Sequence, residues 1–309
     1  MTDSVHVGRD GWLFLIGGSN QVLNLYRRTP VSWWRLRAWQ RLIEGRAAQC
    51  EALGARFLQV IVPEKLTVMP DRCTRPLVDP GRSPGRRLAR RMSSSPRAAA
   101  FLDLTGPLTA AAQEDIYHRT DSHWNYRGAL IGYDAICEAL GARPEGDLLE
   151  RAFQDLELTL DLGSKLTSPV AEAVRVYTTT RRARQSWVNE IVAAHREGRS
   201  RRPPTGGSHA VYRNEAADAD PRRVMLFGDS CAHYDPFALT GMLAETFREI
   251  QFVWSARIDW RLIEQVRPDI VIGQIAERFL RRVPADDYDH VVASGQRLAE
   301  MAAPDRGSG

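Results

Sequence analysis

Cysteine is scarce in this chain of 309 residues, and the four present, Cys50, Cys73, Cys137 and Cys231, stand far apart. None pairs with another at a metal-ligand or redox spacing, which excludes a CxxC-type zinc or redox site and fits a reducing compartment. Lysine is scarcer still: Lys65 and Lys165 are the only lysines among 42 basic residues, the rest being arginine. With 38 acidic residues mixed among them the net charge is only +4, and no basic stripe interleaved with aromatics marks a nucleic-acid groove. Nucleic acid is therefore not an expected partner. A glycine-rich phosphate loop and a His/Cys/Asp cluster are both missing, so neither a metal nor a bound cofactor is expected. Long apolar runs are missing as well. The N-terminus, MTDSVHVGRDGWLFLIGG, sets acid before base, and its apolar stretch is too short for a signal-peptide core or a membrane span. Taken as written, the chain is expected to be cytoplasmic, and periplasmic only if its true N-terminus lies upstream.

What is present is alternating α/β text. GRDGWLFLIGG reads as a turn, a short apolar strand and a glycine break. From Ser32, a plausible N-cap, Leu36, Trp39, Ile43, Ala47 and Cys50 recur at three- and four-residue steps up to Gly54, which predicts a long amphipathic helix. ARFLQVIVPEK follows as a buried strand, AAAFLDL as a second, and TGPLTAAAQED as a short helix opened by Thr105. Residues 79–97 are rich in Pro, Gly, Ser and Arg. Arg86, Arg87, Arg90 and Arg91 cluster on one helical turn there, and the segment is read as a solvated loop and short surface helix rather than a polyanion clamp. Residues from about 150 to 222 are more polar and less periodic. They are read as an excursion from the core of a single domain spanning 1–309. Beyond them the alternation resumes: strand RRVMLFGDS, helix PFALTGMLAETF, strand EIQFVW, helix DWRLIEQVRP, strand DIVIGQ, and a last helix from about 285. The expected fold is α/β, a three-layer arrangement around a mostly parallel sheet, with its site beyond the carboxyl ends of the strands.

Two stretches carry chemistry. In VMLFGDS the strand ends at Gly228, and Ser230 follows on a tight bend where its hydroxyl is presented and the N–H groups of the next helix receive an oxyanion. Serine needs a base, and an imidazole base needs a carboxylate to fix its tautomer. YHRTDSHWN supplies both, since residues two apart in an extended segment point the same way, setting Asp121 and His123 on one site while Ser122 turns aside. Each motif alone has a bland reading, as a capping Asp, a core His or a common turn. Both at helix entrances after strand-like runs favour a Ser230–His123–Asp121 triad. Gln274, Lys65 and Trp124 are the further candidates: Gln274 as a donor to the oxyanion or a substrate hydroxyl, Lys65 for an anionic substrate group or as a cap on the sheet's edge, and Trp124 for ring stacking or as core. His233 is read as a local polar contact, and Glu277 with Arg278 as a structural ion pair.

In order along the chain, GRDGWLFL, VPEKLTVMPD, YHRTDSHWN, DLGSKL, VMLFGDS and PDIVIGQIAERFL resemble the AlgX/AlgJ group of SGNH-hydrolase-like O-acetyltransferases, which acetylate alginate and related polysaccharides. The motif order is permuted relative to ordinary SGNH hydrolases, with Asp-x-His ahead of Gly-Asp-Ser. The resemblance implies a triad of Asp121, His123 and Ser230, with Cys231 where phenylalanine is more usual. The expected function is transfer of an acyl group, acetyl foremost, to a carbohydrate hydroxyl through an acyl-serine, with a glycan acceptor and an acyl donor or donor protein left unidentified. A carbohydrate esterase with the same triad and a non-catalytic glycan-binding module are the alternatives.

Overall fold

A computed structural model describes residues 4–27, 31–200, 203–233 and 238–302. It begins with strands β1 (Val5–Val7) and β2 (Leu13–Leu15), paired antiparallel, and a short helix α1 (Val22–Leu25). Helix α2 (Trp33–Ala52) follows. Ser32 caps it by accepting from the Arg35 N–H, and the five residues expected on its apolar face are all buried. Next come β3 (Arg56–Val62), α3 (Lys65–Val68), α4 (Pro84–Met92), β4 (Phe101–Asp103), α5 (Thr105–Ala110) and α6 (Tyr126–Leu140). Thr105 is the first residue inside α5, not its cap: Asp103 accepts from both the Thr105 amide and its hydroxyl.

Strands β5 (Phe153–Leu158), β6 (Glu172–Tyr177) and β7 (Ala183–Val188), helix α7 (Glu190–Arg196) and strand β8 (His209–Asn214) make up most of the region read as an excursion. The chain then runs through β9 (Asp220–Gly228), α8 (Leu239–Thr246), β10 (Phe247–Trp254), α9 (Trp260–Val266), β11 (Ile270–Ala276) and α10 (His290–Ala302). The expected start of the helix in PFALTGMLAETF, at Pro236 and Phe237, lies outside the described residues.

The main sheet has seven strands in the order β4-β3-β11-β9-β10-β8-β7. The first five are mutually parallel, while β8 runs antiparallel to both β10 and β7. All seven residues of β11 are buried. Successive side chains point to opposite faces, so this sheet is covered on both sides and the fold has three layers. The excursion reading is corrected in part: only β5 and β6 form a separate two-stranded sheet, whereas β7 and β8 extend the central one. Among the described residues no helix is long and apolar enough to cross a membrane.

Candidate active site

Strand β9 ends at Gly228, and residues 229–233 turn away from the sheet's carboxyl edge. A Cβ at Gly228 would stand 2.7 Å from the Ala232 Cβ and 3.0 Å from the Gln274 Oε1. Glycine is needed for this close approach and not for an unusual dihedral. Asp229 locks the turn: its Oδ1 accepts from the Cys231 amide (2.9 Å) and the Gln274 Nε2 (3.0 Å), and its Oδ2 from the Ala276 amide (2.6 Å). Helix α8 begins only at Leu239, so its N-terminus does not follow Ser230 directly as expected. The Cys231 and Ala232 amides both donate within the turn, to the side chain and the carbonyl of Asp229, and among the described residues the Ser230 amide has no acceptor.

The Asp-x-His segment is a turn closed by a bridge between Tyr117 and Trp124, not the extended stretch expected. Asp121 Oδ1 accepts from the His123 backbone N–H at 2.8 Å and lies 2.5 Å from the His123 Nδ1. An Asx-type turn, rather than strand alternation, therefore brings carboxylate and imidazole together. His123 Nε2 is 2.6 Å from the Ser230 Oγ, across 107 residues of chain. A carboxylate only accepts, so Nδ1 carries the proton toward Asp121 and Nε2 receives the serine hydroxyl.

Burial opposes both charges here, and each partner outweighs it for the other. The His123 charge and its hydrogen bond hold Asp121 well below the usual carboxylate range. Burial would depress His123, but the Asp121 charge and hydrogen bond raise its pKa above the ordinary imidazole value. The Arg278 charge works in the opposite sense. Asp121, His123 and Asp161 also place ligand atoms close enough together to hold a metal ion. Both His123 nitrogens are already engaged, and Asp161 is bonded to Ser122, so the donor set does not fit one.

Three of the expected site residues turn inward. Gln274 is fully buried under the Asp229 turn, with its amide spent on Asp229. Lys65 is buried and donates to the carbonyls of Leu13 (2.8 Å), His118 (2.6 Å) and Arg119 (3.3 Å), and burial lowers its pKa to about 7. It ties the N-terminal hairpin to the Asp-x-His turn instead of facing a substrate. Trp124 is fully buried against Gly128 and Gly132, leaving no open face for a sugar, and its Nε1 donates to the Cys231 carbonyl at 3.1 Å. That bond joins the Asp-x-His turn to the turn that carries Ser230. His233 is stacked on Phe252 at 4.2 Å, and burial lowers its pKa to about 3. It lines a cleft of about 690 Å³ with Thr240 and Gly241.

Several residues that support the site were not singled out from the sequence. Asp161 accepts from the Ser122 amide (2.8 Å) and hydroxyl (2.7 Å), and its own amide donates to Asp121 Oδ2 (3.1 Å). Glu172 on β6 accepts from the Arg119 and Thr120 amides and pairs with His118 at 3.1 Å. The expected Glu277–Arg278 pair does not form. Arg278 bonds Glu64 (2.6 Å), the Ser122 Oγ (2.9 Å) and the Ser122 carbonyl (3.1 Å), whereas Glu277 accepts from the Glu64 and Gly85 amides and the Thr67 hydroxyl. The available signals were DLGSKL, which contains Asp161, and VPEKLTVMPD, which contains Glu64.

A family model described as "SGNH hydrolase-like domain, acetyltransferase AlgX" matches residues 5–256. Among solved structures, the O-acetyltransferase domain of Pseudomonas putida AlgJ is similar over 97% of this chain and 99% of its own, with a TM-score of 0.61 at 16% identity. Bacillus cereus PatB1 is similar over 89% of this chain and 96% of its own, with a TM-score of 0.58 at 15% identity. Pseudomonas aeruginosa AlgX is similar over 95% of this chain and 64% of its own, with a TM-score of 0.52 at 13% identity. A search of curated protein sequences finds no match.

Proposed function

The chain belongs to the SGNH hydrolase-like acetyltransferase family of AlgX, and from that premise we propose that it moves an acetyl group onto a polysaccharide hydroxyl through an acyl-serine on Ser230. The observation that carries this reading is the unbroken relay from Asp121 to His123 Nδ1 and from His123 Nε2 to the Ser230 Oγ, at 2.5 and 2.6 Å. His123 takes the proton as the Ser230 Oγ attacks the donor's carbonyl, and it returns that proton to the donor's leaving group as the tetrahedral adduct collapses to acyl-serine. The acceptor hydroxyl then attacks the acyl carbon, giving its proton to His123, and the Ser230 Oγ leaves with that proton restored. Asp121 keeps the imidazole oriented and stabilises its charge at both stages. The Ser230 amide is the backbone donor for the oxyanion. The donor is an activated acetyl ester or thioester, and the reaction draws on no resident cofactor.

The test uses the whole chain and an activated acetyl ester. Incubation is expected to add one acetyl group to the intact mass, and Ser230→Ala to abolish the addition. His123→Ala slows acylation steeply. Asp121→Asn leaves the fold intact and slows acylation by roughly 10⁴-fold, the scale known for serine-protease triads. Oligosaccharides are then expected to speed loss of the acetyl group and to emerge acetylated. Release to water alone, indifferent to every glycan tried, assigns an esterase instead. No acylation from any donor leaves only a binding module.

A further inference from the structure

Residues 31–41 contain Arg35, Arg37 and Arg41, helix α4 contains Arg86, Arg87, Arg90 and Arg91, and neither stretch holds an acidic residue. Helices α2 and α4 pack against each other, and Arg91 of α4 meets Arg37 of α2 at Trp33. The guanidinium carbons of Arg37 and Arg91 both stand over the Trp33 ring, at 5.4 and 5.2 Å from its centroid. Trp33 and Trp34 open α2 and remain 49% and 69% exposed, with their rings edge to face at 4.5 Å. The buried face of α2 is complete without them, being formed by Leu36, Trp39, Ile43, Ala47 and Cys50. Two adjacent indoles are thus left in water beside Arg37 and Arg91, neither of which is ion-paired among the described residues.

We infer that this Trp–Arg face docks on an anionic lipid bilayer surface. Indole rings favour the headgroup layer, where an apolar body and a polar N–H are both accommodated, and guanidinium groups are drawn to anionic headgroups. The alternative anionic partners, an acidic glycan or a single nucleic-acid strand, use aromatics as flat platforms and need an open ring face. On Trp33 that surface is crowded by two guanidinium groups and by the ring of Trp34, whereas insertion into headgroups requires no free face. The patch also has a defined place. Trp39 Nε1 donates to the carbonyl of Leu280, beyond the end of β11. The N-terminal end of α2 therefore stands at the carboxyl end of the sheet, the end that carries Ser230. Docking through Trp33 and Trp34 turns that end of the molecule toward the bilayer. The inference does not depend on the reaction proposed above.

Flotation of the whole chain with vesicles tests it, using phosphatidylcholine alone and phosphatidylcholine containing about a third phosphatidylglycerol. The protein is expected to float with the anionic vesicles only and to be released as salt rises. Arg37→Gln with Arg91→Gln is expected to weaken partitioning on the order of thirtyfold, the scale for removing two cations from a charged surface. Trp33→Ser with Trp34→Ser weakens it as well, and Trp34→Ser alone serves if the double variant melts early. Arg143→Gln with Arg248→Gln, an equal loss of charge elsewhere, leaves binding unchanged. Failure to float with anionic vesicles overturns the inference. So does equal weakening in the distant-arginine control, which would assign binding to net charge alone. Binding of polygalacturonate or an oligonucleotide through the same residues, with none to vesicles, would give the face to a polymer instead.

Discussion

Arg278 is where a single buried charge reaches the chemistry. Its guanidinium bonds Glu64 on one side and the hydroxyl and carbonyl of Ser122 on the other, so it holds the residue between Asp121 and His123. Its charge also lowers the pKa of His123, against the stronger upward pull of Asp121. Because the base must be neutral to accept the Ser230 proton, acylation is expected to rise with pH along a limb lying above the ordinary imidazole value of 6.5. Arg278→Gln removes a lowering influence, so the limb moves to still higher pH. It also strands the buried Glu64 and is expected to cost about 3–5 kcal/mol of stability. Arg278→Lys keeps the charge and loses the fork, so the rate falls while the limb stays in place. A pH–rate series on the three proteins checks this. Slower acylation in Arg278→Gln with an unmoved limb would reduce Arg278 to a packing role. At this scale the sequence was legible in the juxtaposition of Asp121, His123 and Ser230, which come within 2.5 and 2.6 Å of one another in turn. Gln274, Lys65 and Trp124 were misread because side-chain type does not say which way a polar atom turns, and here all three turn inward to bond backbone or the Asp229 turn.

Among elements, the site depends on loops held from several directions. The Asp-x-His turn is gripped by Lys65 from α3, by Asp161 from the segment between β5 and β6, by Glu172 on β6, and by Arg278 after β11. Lys65→Met tests the first of these. The substitution keeps an apolar stem beside Trp12 and Phe14, whose rings lie 5.3 and 5.5 Å from the Nζ, and deletes three donors to buried carbonyls. A loss of about 1–3 kcal/mol is expected, read by urea unfolding, because the buried His118 carbonyl loses its Lys65 donor whereas the Arg119 carbonyl keeps the Leu13 amide. Acylation is also expected to slow, since two of those carbonyls, on His118 and Arg119, lie just upstream of Asp121. Unchanged stability with unchanged acylation would show that the turn needs no such clamp. The long helix and the buried parallel strands were legible because periodicity and branched apolar runs report burial directly. The turn geometry was not: Asp-x-His fits an extended strand and an Asx turn equally well, and only the tertiary clamps decide between them.

For the whole molecule the open matter is whether residues 150–222 unfold with the core. The sequence marked them as an excursion because their strands are polar on their exposed side, as in β7, where Ala183 is the only buried residue. Hydrogen bonding gives them a closer tie, since β7 and β8 continue the central sheet beyond β10. Glu245, at the end of α8, strengthens the joint: it is buried, pairs with Arg151 at 2.7 Å, and accepts from the amides of Arg181, Arg182 and Ala183. We therefore expect one cooperative unit. Far-ultraviolet circular dichroism, which follows the whole backbone, and tryptophan fluorescence, to which exposed Trp187 on β7 contributes, should give coincident urea transitions. Glu245→Gln leaves the buried Arg151 with Asp147 as its remaining carboxylate and weakens acceptance from the three amides, at a cost of about 3 kcal/mol. If the unit is single, that loss moves both transitions together. An earlier fluorescence transition, shifted alone by Glu245→Gln, would instead divide the chain into a core and a separately unfolding edge, and acylation of Ser230 would then be lost with the first transition, because Asp161 and Glu172 support its base from that segment.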